Sequence, residues 1–81
     1  MEHYVVINDW VNDLEYGIGI LGVTHSLEEA IKIFNNSVGE EKKYANEHGY
    51  EIFEDSDVVF DAGKYGEYMV FHTRIYIQLV V

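Results

Sequence analysis

Residues 26–49, SLEEAIKIFNNSVGEEKKYANEHG, decide the fold. Ser26 followed three residues later by Glu29 is a capping box, in which the hydroxyl accepts from the N3 amide and the N3 carboxylate reaches back to the cap. Glu28 and Glu29 place negative charge in the first turn, where the helix dipole favours it. Leu27, Ala30, Ile31, Phe34, Val38 and Ala45 recur at helical spacing and make one apolar face. Gly49 suits the left-handed residue that ends a helix, and His48 puts a basic side chain in the last turn. The spacing therefore predicts a helix over 27–48, roughly 33 Å long. That is long for a chain whose radius of gyration should be about 12 Å. A second capping-box match, Ser37-Val38-Gly39-Glu40, leaves two shorter helices as the alternative to one long or kinked helix.

On either side the apolar period changes to two. Residues 4–11 (YVVINDWV) are β-branched and aromatic and read as a strand. Residues 18–24 (IGILGVT) read as a second strand, paired antiparallel with the first. The glycines in and before that strand point to a bulge or a close backbone approach. Residues 50–53 and 57–62 are strand-like, with Glu54-Asp55-Ser56 as an acidic bulge or loop and 63–66 as a turn. Residues 68–81 form the strongest strand. Met69, Phe71, Thr73, Ile75, Ile77 and Leu79 alternate there with Tyr68, Val70, His72, Arg74, Tyr76 and Gln78, which predicts one buried face and one partly wet face. The expected fold is α+β: a single domain over 1–81, one long or kinked helix packed on an antiparallel sheet of three to five strands, in the order ββαββ.

Composition narrows the function. The chain has 81 residues, fifteen acids and five Lys or Arg, for a net charge of -10. It has room for one domain, and 48% hydrophobic residues is too many for a disordered acidic tail. There is no cysteine, which excludes a disulfide framework, a thiol nucleophile and a zinc–thiolate site. No stretch approaches the roughly 18–20 apolar residues of a membrane span. The opening MEHYVVINDW lacks the basic and apolar regions of a signal peptide, so the expected location is the cytoplasm. Residues 1–31 hold six acids and no base. Nucleic acid and anionic membrane are thus not expected as direct partners, because phosphate binding needs Lys and Arg.

Three constellations invite a chemical assignment. Gly17-Ile18-Gly19-Ile20-Leu21-Gly22 spells a dinucleotide motif, but the helix cap falls at Ser26, too late for the helix amides to meet a phosphate. The glycines are expected to be structural. His3, His25, His48 and His72 form no metal-ligand spacing; the one pairing worth testing is His3 with His72 as cross-strand neighbours beside an acid. Asp55-x-Asp57-x-x-x-Asp61 lacks the glycine and the terminal glutamate of a calcium loop. No catalytic set emerges, so a non-enzymatic protein without metal or cofactor is expected.

The acids remain. Glu51, Glu54, Asp55, Asp57, Asp61 and Glu67 lie within one stretch that holds a single base, Lys64. The bland interpretation is a solvated face that keeps a small domain soluble. The sharper one is a binding surface for a basic, nucleic-acid-binding groove of another protein, with Tyr65 and Tyr68 as aromatic anchors. Tyr16, Tyr76 and Trp10 are further anchor candidates. Two rivals stand beside it. One is a structural or oligomerisation module, a homodimer formed through an unprotected edge of the strand at 68–81. The other is a small metal- or ligand-binding protein that uses the surface histidines.

The segment 4–34, with its YVVINDW opening and ILGVTHSLEEAIKIF passage, resembles small uncharacterised acidic proteins of phages and mobile elements of Gram-positive bacteria. The likeness covers about half the chain. In size, acidity and lack of cysteine the chain is also similar in kind to anti-CRISPR proteins and other DNA-mimic inhibitors. The resemblance implies a non-enzymatic inhibitor that blocks a nucleic-acid-handling machine, and it transfers no site residue to a position here.

Overall fold

The computed structural model describes residues 2–66 and 70–81. Ser26 is extended (φ -124°, ψ 126°), and its hydroxyl accepts from the Glu29 amide at 3.4 Å. Gly49 closes the helix in the left-handed region at φ 71°, donating its amide to the Ala45 carbonyl. A side chain there would cost about 1–2 kcal/mol. Between the two caps runs one uninterrupted helix, α1 (Leu27–His48). The second capping box does not start a new helix, because Val38 within it is buried against the sheet and holds the segment in register. Ala30, Phe34, Val38 and Ala45 face inward as the spacing predicts, whereas Leu27 at the helix start is exposed.

The strands are β1 (His3–Asn12), β2 (Tyr16–Thr24), β3 (Glu51–Asp55), β4 (Val59–Tyr65) and β5 (Val70–Val80). They form one antiparallel sheet in the order β2-β1-β5-β4-β3. The element order is thus ββαβββ, one strand more than expected. Two of the three residues of the acidic loop are strand: Glu54 and Asp55 pair with Asp61 and Phe60 of β4. The chain reverses at Ser56, whose amide donates to the Val59 carbonyl at 2.9 Å and whose hydroxyl accepts from the Val59 amide at 3.0 Å. Gly63, Lys64 and Tyr65, expected in a turn, continue β4 opposite His72, Phe71 and Val70. Glu67, Tyr68 and Met69 lie outside the described residues.

The oligomerisation rival needs a free edge on the strand at 68–81; β5 instead lies at the centre, between β1 and β4. A long apolar strand gains most from neighbours on both sides: residues 71–80 pair with β1 and residues 70–76 with β4. Its alternation holds in the middle of the strand, where Thr73 and Ile75 are buried and Arg74 is exposed, but not at its end, where Leu79, expected on the buried face, is exposed beyond the reach of the core. The glycine motif is also structural. The pairing of β2 with β1 shifts by one residue at Leu21, a bulge. A Cβ on Gly17 would sit 2.4 Å from Trp10 Cζ2, and one on Gly22 would sit 2.6 Å from Ile33 Cδ1.

Helix α1 covers one side of the sheet. Ala30, Phe34 and Val38 close on Val6, Phe60, Ala62 and Ile75 to make the core, with Tyr4, Ile33 and Ile77 at its border. The body is a slab of 46 × 22 × 15 Å. Phe34→Ala should cost about 3–5 kcal/mol, a large part of the ~5–15 kcal/mol that holds a small domain. Urea unfolding followed by circular dichroism checks this; a loss under about 1 kcal/mol would show that the core does not depend on Phe34.

Candidate partner-binding face

Among the described residues, the side of the sheet away from α1 carries no second layer. Strand register sorts its residues into rows that cross the sheet. One row runs Ile20, Ile7, Tyr76, Val59; the next runs Ile18, Asp9, Arg74, Asp61, Glu54; a third runs Tyr16, Val11, His72, Gly63, Glu51. The face is therefore aliphatic toward β2 and acidic toward β3, with charged pairs between. Asp9, Val11, Tyr16, Ile18, Asp61, His72 and Arg74 line a shallow groove of about 570 Å³ along its middle.

Two side-chain networks order the middle of this face. Arg74 Nη2 donates to Asp9 Oδ2 at 2.6 Å, and the guanidinium lies 4.8 Å from the centre of the Tyr76 ring. The hydrogen bond to Asp9 is the main reason that the Arg74 pKa lies above its ordinary value. Next to it, His72 is held between Asp61 and Tyr65. Asp61 accepts from His72 Nε2–H on one side of the ring, and Nδ1 meets the Tyr65 hydroxyl on the other. With both ring nitrogens engaged, His72 has no free nitrogen for a metal or a substrate proton. Phe53 packs beside the pair, 5.7 Å from His72 and 6.0 Å from Tyr65 between ring centres. Gly63 makes room for this cluster: a Cβ there would lie 2.5 Å from the Phe71 carbonyl oxygen.

The residues singled out from sequence are distributed as follows. Glu51, Glu54 and Asp61 share the open-face rows, and Tyr65 joins them through His72. Asp57 lies in the β3–β4 turn. Asp55 pairs at 2.7 Å with Lys42 of α1, on the other side of the sheet. Glu67 and Tyr68 fall outside the described residues. The pairing of His3 with His72 does not form. His3 stands opposite Val80, beside the His25 ring, while His72 stands opposite Val11. Eight residues of β1 separate the two positions, roughly 27 Å. Among the described residues no group of three or more His, Asp or Glu could hold a metal ion, and no helix is long and apolar enough to cross a membrane.

Sequence reasoning missed Asp9, Arg74 and Phe53 as parts of this face. Each sits at the right alternation in its strand, but only the pairing of β1 with β5, and the irregularity in β3 at Phe53, brings them together. The acids also crowd the other side. Glu40 and Glu41 directly precede Lys42 on α1, the residue that reaches Asp55. Burial, with the Glu40 charge second, pushes the Glu41 pKa above its ordinary value. A carboxyl with a raised folded-state pKa holds an extra proton in the fold, so its contribution to stability falls as pH rises through the window between its ordinary and raised values. Glu41→Gln should therefore melt higher than the parent near about pH 7, and the difference should close as pH drops below about 4. Thermal melts across that range check it; a difference constant with pH would refute the assignment.

The chain matches no family model, no curated protein and no solved structure.

Proposed function

We propose that this chain is a non-enzymatic binding protein of the cytoplasm whose open sheet face, from Arg74 across to β3, engages a basic surface of another protein. The observation that carries it is the uncovered side of a five-stranded sheet, on which Glu54, Asp61 and Glu51 lie in rows beside the aromatic rings of Phe53, Tyr65 and Tyr76. A small monomer seldom leaves so much ordered, partly apolar surface without a partner. Aromatic rings with one polar end make interface anchors, and a surplus of carboxylates steers a basic surface onto them. In the sharper form, the basic surface is a nucleic-acid groove, and the protein inhibits its partner by occupying it. The net charge of -10 on 81 residues supports this form.

The test is capture of proteins from lysate on the immobilised chain, from about 50 to 500 mM salt. The captured proteins should be basic and should be released as the Debye length shortens. A triple amide variant, Glu51→Gln with Glu54→Gln and Asp61→Asn, should lose capture while keeping its circular dichroism spectrum. Duplex DNA should displace the captured protein if the groove binds nucleic acid; failure of DNA to compete removes the mimicry and leaves the basic partner. Capture that is indifferent to salt and to the amide substitutions sinks the whole proposal.

A further inference from the structure

The sheet has two edges, and they are built in opposite ways. β3 is short, its residues are all exposed, and it carries Glu51, Glu54 and Asp55 and an irregularity at Phe53. Shortness, charge and bulging are the usual means of keeping a strand edge from pairing with another chain. β2 has nine residues and no charged side chain. The neutral stretch extends from Tyr16 to Leu27, between Glu15 and Glu28. The bulge at Leu21 affects only its second half, so Tyr16–Ile20 runs in unbroken register with β1. Its side chains on the open face are largely in solvent: Tyr16 is 85% exposed, Ile18 70% and Ile20 68%.

We infer that β2 is the docking strand for a second copy of this chain, joined antiparallel through Tyr16–Ile20 into one ten-stranded sheet. Self-complementarity selects the occupant, because Tyr16-Gly17-Ile18-Gly19-Ile20 set against itself puts large residues opposite large and Gly opposite Gly, and charge selects the place. Two bodies of net charge -10 repel wherever their acids meet, and the neutral edge is where they approach without bringing carboxylates together. Sequence selects the register. With a two-fold axis through Ile18, Ile18 faces its own copy, Tyr16 faces Ile20 of the partner subunit, and Gly17 faces Gly19 of the partner subunit. Aromatic and β-branched cross-strand pairs of this kind stabilise sheets. Gly17 and Gly19 lie on the helix side of β2, and the space a Cβ of Gly19 would enter is open, so the backbones can close together. An axis perpendicular to the sheet leaves both open faces on the same side, clear of the pairing.

The absence of cysteine makes the register directly testable. Ile18→Cys introduces one thiol per chain. Strand pairs place facing Cα atoms about 4.5–5.5 Å apart, within the span a disulfide bridges. Mild oxidation should convert Ile18→Cys to a covalent dimer, while Asn36→Cys, exposed on α1, should stay largely uncrosslinked. Sedimentation of the parent chain should give twice 9.4 kDa. Ile18→Lys should give the monomer mass with an unchanged circular dichroism spectrum. Because the approach is between like charges, the dimer should tighten as salt rises, the reverse of capture of a basic partner. A parent chain that sediments as a monomer at all accessible micromolar concentrations overturns the inference. So does a dimer that survives Ile18→Lys, or crosslinking of Ile18→Cys no faster than that of Asn36→Cys.

Discussion

Phe34, with Ala30 and Val38 beside it, presses on Val6, Phe60, Ala62 and Ile75, and this contact is the dry layer of the described residues. Its extent sets everything else. A helix with its side chains is about 10–12 Å wide, while five strands spaced about 4.8 Å apart span roughly 20 Å. One helix therefore covers the central strands of one side and nothing of the other. The uncovered side is a geometrical result of pairing a single helix with a wide sheet. What the sequence places there differs from a merely solvated surface: aliphatic side chains on β2, the Asp9–Arg74 ion pair between β1 and β5, and acids with aromatic rings toward β3.

The networks on that side are consistent with a face held in one shape. Arg74 is fixed by Asp9 and by the Tyr76 ring, and His72 by Asp61 and Tyr65. Asn8 locks the register of β1 against β5 from the helix side, donating to Thr73 Oγ1 and to the Arg74 carbonyl, each at 2.9 Å. Ordered side chains lose less entropy when a partner covers them, which suits a recognition surface.

The legible parts of the fold are those written locally. The helix carries its own punctuation at Ser26 and Gly49, and the two faces of β5 are spelled in its alternation. The limits of β3 and β4 were not legible, because Glu54, Asp55, Gly63 and Lys64 disfavour strand by propensity and are strand only through their partners. The place of β5 in the sheet was hidden for a related reason. An apolar strand looks alike at an edge and at the centre until its neighbours are known. The same applies to the face. Asp61 and Tyr65 stand out in the sequence as candidates, but nothing local ties His72 to them, and the link between Asp9 and Arg74 depends on a register across 65 residues.

The sheet is sealed by strands from opposite ends of the described chain, with Tyr4 opposite Leu79. Such a junction closes a loop of nearly the full length, and long loops form late. While the polypeptide is being made, the β1–β2 hairpin emerges first and must wait for residues 70–80 before it gains a central neighbour. During that interval Val6, fully buried in the finished fold, has no core to enter.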